Sequence, residues 1–418
     1  MDEIEQIKQA KLDPLASLRI PEFRSLLIGR FAFIMALRMM STLVGWWVYE
    51  LTGDPFAIGL VGLSEAVPAI SMALYAGHVI DLSDKRKLLL RGVLFYLSCA
   101  AVLLFLSYNY HAGAAKMLIA GGIYAVIFCT GIIRSFVGPS FSAILAQTVP
   151  RPLLPNAITL NQGTFLTASV MGHAAGGFVI AGFQTTGTLI VICSLIGTGF
   201  LLLRRLLPKP PAPSAGKQRP LESVKEGLRF VFRTKEVLGA ITLDLFAVLF
   251  GGVVALVPVF AKDILKVGPI GFGWLNAAVD IGAILIVILL TLFPLRKNQG
   301  RKLFFAVGGF GCCIILFALS EFFWLSFMAL VVAGMLDGIS VVIRGTILQL
   351  KTPDEMRGRV LSVNSMFVNS SNEIGQFESG LAARLLGVVP SVLFGGCMTL
   401  AVVIATWFKA PSLRKMEY

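Results

Sequence analysis

The sequence predicts an all-α polytopic membrane protein, with twelve transmembrane helices in two pseudo-symmetric six-helix bundles. Three observations carry that prediction. First, the 418 residues are 56% hydrophobic and only 14% charged, with mean hydropathy +0.82, whereas a soluble domain carries about 25% charged residues. Second, apolar runs of ~20 residues, enough to cross a ~30 Å hydrocarbon core as helix, recur from end to end. Third, the basic residues gather in alternate connections, which follows the positive-inside rule.

The expected spans are 25–49, 56–80, 88–108, 117–146, 156–182, 186–207, 237–261, 269–295, 303–322, 324–349, 360–386 and 390–408. One side of the membrane then receives Lys85, Arg86, Lys87 and Arg91; Arg204, Arg205 and Lys209; Arg296, Lys297, Arg301 and Lys302; and Lys351, Arg357 and Arg359. The other side receives only Lys116, Lys262 and Lys266. That asymmetry places both termini in the cytoplasm and the chain in the plasma (inner) membrane. It also explains the net charge of +13 without a nucleic-acid partner. Residues 1–24 mix acids and bases and lack an apolar signal-peptide core, so the first span is expected to direct insertion.

Residues 208–236 form the longest polar segment. Its Pro-rich start reads as an extended linker. Ser223 and Glu226 then fit a capping box, with Leu221, Val224, Leu228 and Val231 on one face. An amphipathic helix lying on the cytoplasmic membrane surface is the expectation. The linker separates a bundle at 25–207 from one at 237–408, followed by a cytoplasmic tail at 409–418. At an offset of 203, Pro150 meets Pro353, Asn161 meets Asn364, Gly172 meets Gly375 and Gly177 meets Gly380. At 206, Arg38 meets Asp244 and Gly45 meets Gly251. Parallel six-helix repeats of this kind build one large class of secondary transporters.

Charges at bilayer depth cost about 2.5–3.5 kcal/mol each on insertion scales, so each calls for a partner or a polar cavity. The first half carries Arg38, Glu65 and Arg134; the second carries Asp244, Asp280, Asp337, Arg344, Glu373 and Glu378. Carboxylates that change exposure can exchange protons, arginines can hold an anionic or catechol-like substrate, and either can serve in an interdomain salt bridge. Pro68 in the second span can free a backbone carbonyl beside Glu65. Trp46, Trp47 and Tyr49, near the outer end of the first span, are expected to anchor the helix at the membrane interface. The six cysteines lie in apolar segments without zinc or redox spacing. No phosphate-binding loop occurs, which excludes a self-contained ATP-driven pump. His78, His111 and His173 fall in separate segments, so a polytopic membrane enzyme lacks its cluster of reactive groups. A transporter-derived sensor would append a soluble domain. No cofactor or metal is expected.

RIPEFRSLLIGRFAF, YELTGDPFAIGLVGLSEAVP, LDLFAVLFGGVVALVPVFAKDIL and LQLKTPDEMRGRVLSVNSMF with SNEIGQFESG resemble the major facilitator superfamily, in its bacterial drug/proton antiporter branch, which includes siderophore exporters. The resemblance implies a secondary transporter that exports a siderophore-like metabolite or drug by alternating access in exchange for protons, as a monomer. It implies that spans one, two, four and five face spans seven, eight, ten and eleven, which turns the charges above toward a central pathway. Gly77, Asp81, Lys85 and Arg86 match the superfamily's cytoplasmic-gate motif, with Asp84 where a glycine is usual. Gly172, His173, Gly176 and Gly177 match the exporters' fifth-helix glycine motif, with histidine where proline is common. They continue a small-residue face from Ala168, and Gly375 and Gly380 repeat it in span eleven. Packing or hinge action is the expected role of this set, and proton transfer is the alternative for His173.

Overall fold

The computed structural model describes residues 15–209, 220–293, 297–353 and 356–417, without the side chains at 73, 74, 78, 81 and 220–223. Residues 1–14, the Pro-rich part of the linker and Arg296 lie outside the described residues. α1 (Pro21–Thr52) and α2 (Pro55–Leu82) each begin on proline, whose missing N–H and fixed φ suit the first helical position. Between them Gly53 takes a positive φ of 64°, and Asp54 accepts a hydrogen bond from the Phe56 N–H at 2.9 Å. α2 runs on through Pro68.

α3 (Lys85–His111) is capped by Asp84, whose side chain accepts from the Lys87 N–H. Asp84 has φ −64°, so no glycine is needed there, and its carboxylate satisfies a free amide of the first turn. α4 is Lys116–Thr148. The next two spans form one run, Leu154–Leu203, broken by Gln184 at φ 56°. They are α5 (154–183) and α6 (185–203).

α7 (Pro220–Arg233) is the linker helix. It is already helical at Pro220, which places Ser223 inside the helix rather than at its cap. Its apolar face does not lie on lipid. Val231 is 1% exposed, and Val224 and Leu228 pack against the same buried cluster, while Arg359 pairs with Glu226. An added Cβ at Gly227 would meet the Arg359 carbonyl at 3.0 Å. The apolar stripe is satisfied by neighbouring helices, and Phe232 is left 64% exposed.

α8 (Lys235–Phe250) stops at Gly251–Gly252, and span seven continues through a 3₁₀ turn (Val253–Leu256), Pro258 and a π-type turn (Phe260–Ile264). α9 (Gly268–Leu292), α10 (Gln299–Leu319), α11 (Phe323–Lys351), α12 (Arg357–Leu386), α13 (Val388–Lys409) and the short α14 (Pro411–Arg414) complete the chain. Among the described residues, ten helices are long and apolar enough to span a membrane, and Arg151–Leu203 is one of them. That run contains two expected spans. α12 falls outside the ten because Asn364, Asn369, Asn372, Glu373, Gln376 and Glu378 dilute its hydropathy. A span this polar needs protein or water around it.

The chain folds as two compact units: Met1–Leu43 with Ser71–Lys217, and Val44–Ile70 with Gln218–Tyr418. The C-terminal end of α1 and most of α2 thus belong to the unit that holds residues 218–418. Small residues set the helix contacts in both. In the first unit an added Cβ at Gly29 would meet Leu203 Cγ at 2.9 Å and the Gly199 carbonyl at 3.3 Å. In the second, a Cβ at Gly282 would strike the backbone of Gly334 and Met335. Without a hydrophobic drive between helices in lipid, such backbone approach supplies the packing energy.

Candidate functional site

The first unit contains the glycine motif. A Cβ on Gly172 would lie 2.6 Å from Arg38 Cβ and 2.7 Å from the Met35 carbonyl of α1. One on Gly176 would be 3.4 Å from Met39 Cα and from Thr42 Cβ. Gly177 is buried, as is Ala168. The 172–177 stretch is therefore where α5 lies directly on α1. His173 is buried at that contact, its Nδ1 2.8 Å from Thr42 Oγ1. The Thr42 hydroxyl also sits 3.0 Å from the Arg38 carbonyl. The histidine thus ties the two helices together.

Arg38 also lies over Phe165 of α5, 5.6 Å from the ring centroid. Arg134 is on α4 and exposed. Arg30, which the charge survey missed, bonds through Nη1 to Asn161 Oδ1. The signal was present: Arg30 is an arginine inside an apolar run, but it stands close enough to the start of the first span to pass for an anchor.

At the expected gate, Gly77 is exposed and nothing lies within 4 Å of a Cβ placed on it. The Asp81 side chain lies outside the described residues. Lys85 is buried, and its backbone N–H donates to the Lys209 carbonyl at 3.1 Å. Arg86 Nη2 donates to the Arg204 carbonyl at 2.7 Å. Lys209 pairs with Glu22 at 3.0 Å and donates to the Gln147 carbonyl. These contacts knit the ends of α1, α3, α4 and α6 within one unit. Glu22 and Lys209 are a pair that spacing alone did not reveal.

The second unit contains Glu65, Asp244, Asp280, Asp337, Arg344, Glu373 and Glu378. Asp244 of α8 and Arg344 of α11 form an ion pair whose side chains are 6% and 5% exposed. The partner of Asp244 therefore comes from its own repeat rather than from across an interdomain boundary. Asp337, two turns before Arg344, and Ser340 line a small recess with Asp244, Val248, Phe310 and Leu336. Glu373 is buried on α12, whereas Glu65, Asp280 and Glu378 are half-buried. A Cβ on Gly375 would meet the Leu249 carbonyl at 2.8 Å, and one on Gly252 would meet Gly375 at 3.0 Å. α12 thus approaches the broken span seven at Gly375 as α5 approaches α1 at Gly172, while Gly380 meets Gly59 of α2 instead.

The C-terminal end of α1 and the N-terminal part of α2 pack into this unit. Trp46, Trp47 and Tyr49 are 8%, 1% and 7% exposed, too enclosed to anchor at the lipid headgroups. Trp46 stacks obliquely on Phe272 at 5.7 Å, and Tyr49 donates a hydrogen bond to Asp263. Lys262 Nζ lies 5.4 Å from the Tyr49 ring centroid. Arg384 of α12 is 3.7 Å from Asp54 and stacks over Phe56 at 5.2 Å. A Cβ on Gly380 would come within 2.8 Å of Gly59 Cα, and one on Gly62 within 2.7 Å of Gln376 Cβ. Among the described residues, no three His, Cys, Asp or Glu side chains gather as a metal set.

Comparisons with known proteins agree with this architecture. The chain is 26% identical over 411 residues to the enterobactin exporter EntS of Shigella boydii serotype 18, covering 95% of this chain and 94% of that protein. It is 25% identical over 411 residues to the exporter of the same name from Escherichia coli O157:H7, with the same coverage. Among solved structures, a D-xylose–proton symporter superposes with TM-score 0.70 at 13% identity, over 97% of this chain and all of that one. The nucleoside transporter NupG superposes with TM-score 0.68 at 15% identity, over 94% and 99%. The relatives are transporters, not enzymes. A family model described as transmembrane secretion effector matches residues 12–418, and the chain belongs to that family, within the major facilitator superfamily of multi-pass membrane transporters.

Proposed function

We propose that this protein exports a small molecule, a siderophore-like metabolite or a drug, across the plasma (inner) membrane, with both termini in the cytoplasm. The observation that carries this reading is the alignment of whole-length exporters along 95% of the chain. Bundles 25–207 and 237–408 rock about a midplane site as a monomer. Inward proton flow drives the cycle, with the carboxylates of the second repeat as carriers. Asp244 and Asp337 support this assignment: Asp244 pairs with the buried Arg344 and shares a small recess with Asp337 of the facing helix, which gives a proton a place to bind when the ion pair opens. Gly77, Asp81, Lys85 and Arg86 serve as the cytoplasmic gate. Tyr49 with Asp263 and Asp54 with Arg384 form the opposing outer latch, whose half-exposed partners give it only a modest strength. Arg38, Glu65, Arg134, Asp280, Glu373 and Glu378 line the pathway.

The test compares small molecules secreted by a deletion strain with those of its parent. A metabolite lost from the medium and retained in the cells is expected; an unchanged profile, with no efflux of added drugs either, overturns the reading. Coupling is measured in proteoliposomes carrying a pH gradient. Efflux should fall when the gradient is collapsed, and efflux indifferent to it rejects proton exchange.

A further inference from the structure

Beyond the sixth span of each repeat, the chain turns back onto its own bundle. After α6 this stretch is Arg204–Lys209. Leu206 is buried there, and the Lys209 carbonyl accepts from the Lys85 N–H at the start of α3 at 3.1 Å. After α13 it is Pro411–Glu417, which the span boundaries leave as a tail. At an offset of 207, Leu206 meets Leu413 and Lys209 meets Met416. Leu413 is fully buried, and the Met416 carbonyl accepts from the Gly300 N–H at the start of α10 at 3.0 Å. α3 and α10 are the third spans of their repeats, so both extensions pin the same helix with the same kind of bond.

Each extension also reaches the first span of its repeat. Lys209 does so by pairing with Glu22 at 3.0 Å. Leu413 does so by packing: its Cδ2 would lie 3.2 Å from a Cβ on Gly239 of α8, and it shares one buried cluster with Val237, Ile241 and Leu303. The approach to α10 is closer still, since a Cβ on Gly300 would strike the Leu413 carbonyl. The two repeats differ in where the acid comes from. α3 takes its capping carboxylate from Asp84, the residue before it. The connection into α10 carries no acid between Leu295 and Lys302. Glu417 supplies one from 119 residues away, accepting from the Asn298 N–H at 3.2 Å. Asn298 takes a left-handed φ of 55°, a conformation that persists where surrounding contacts fix it. Its own amide and that of Gly300 are both bound by the extension.

We propose that residues 411–417 are a clasp that positions the α9–α10 connection, holding Lys297, Arg301 and Lys302 in the second repeat as Lys85 and Arg86 are held in the first. Glu417 is its positioning residue. The proposal rests on the alternating-access reading and extends its cytoplasmic gate to the second repeat. Loss of the clasp frees the connection, weakens the gate and shifts the protein toward the form open to the cytoplasm.

The test is hydrogen–deuterium exchange of the purified full chain in detergent, read over residues 297–304. Beside it runs the reaction of a cysteine at Val61, in a cysteine-free background, with an impermeant maleimide added outside. Glu417→Ala should speed exchange over 297–304 about fivefold, as for one lost helix cap. Glu417→Gln keeps the accepting oxygen and should restore most of the protection. Leu413→Asp should speed exchange by about tenfold or more, because it places a charge in an apolar cluster. Gly300→Ala should displace the clasp from the other side and act alike, whereas Lys415→Ala, at an exposed position, should change nothing. Labelling at Val61 should slow by about twofold or more in Leu413→Asp and Gly300→Ala. If Leu413→Asp does not yield a monodisperse protein, Gly300→Ala and the two Glu417 variants decide the matter. Exchange within about twofold of wild type in Glu417→Ala and Gly300→Ala overturns the clasp. Exchange that rises equally throughout α8–α13 overturns it too, since that marks general loosening rather than positioning. Faster local exchange with unchanged labelling at Val61 overturns its action on the gate. The two levels fail separately. Export that continues at the wild-type rate in Gly300→Ala rejects the clasp's role alone. All the expected shifts, in a protein that moves nothing out of cells or vesicles, reject export alone.

Discussion

Replacing Asp244 by asparagine leaves the Arg344 guanidinium buried without its counter-ion. Both side chains are about one-twentieth exposed, so water cannot take over the lost contact. Breaking one side of such a pair costs roughly 3–5 kcal/mol. Asp337 shares the recess with Asp244 and can accept part of the abandoned charge, so the lower end of that range is expected. Arg344→Gln should cost less. It leaves carboxylates, which can take up a proton, whereas the guanidinium left by the first substitution cannot lose one. The double variant removes both charges together, and its loss should fall about 2–3 kcal/mol short of the sum of the single losses. The assay is reversible unfolding of the detergent-solubilised protein by sodium dodecyl sulfate, followed by far-UV circular dichroism for wild type, both single variants and the double. Additivity within about 0.5 kcal/mol would show that the pair does not couple α8 to α11 and would refute the reasoning.

Gly172→Val and Gly375→Val should each abolish properly folded, transport-competent protein, because the added carbons meet the backbones of α1 and span seven; normal size-exclusion profiles with normal efflux would contradict this. Val231→Ala, at a site 1% exposed, should destabilise by about 1–3 kcal/mol, against less than about 0.5 kcal/mol for the exposed Phe232→Ala, both read in the same unfolding assay. Tyr49→Phe combined with Asp54→Asn should speed the reaction of a cysteine at Val61, in a cysteine-free background, with an impermeant maleimide added outside, since both outer contacts are removed. His173→Gln should lower stability while leaving the shape of the transport–pH curve unchanged, because His173 is engaged between α1 and α5 through Thr42; a displaced curve would assign it a proton.

The all-α polytopic fold was legible because hydropathy and helical period are local properties of the chain. The small faces at 172–177 and 375–380 were legible for the same reason, since residue size needs no knowledge of the neighbour. Tertiary structure decided what those local features meet. Apolar surface reads alike whether lipid or protein covers it. Trp46, Trp47 and Tyr49 therefore looked like interface anchors until packing enclosed them, and the stripe of α7 looked like membrane surface until α8 and α12 covered it. Likewise, the cost of a buried charge was written in the sequence, but its partner was not. Asp244 and Arg344 are a hundred residues apart and meet only because α8 and α11 pack together. Arg30 acquires the rings of Phe141 and Phe165 and the Asn161 amide only because α4 and α5 fold against α1. Sequence determined which groups must find company inside a membrane. The fold chose the company, because contact between distant helices depends on three-dimensional packing that no local pattern encodes.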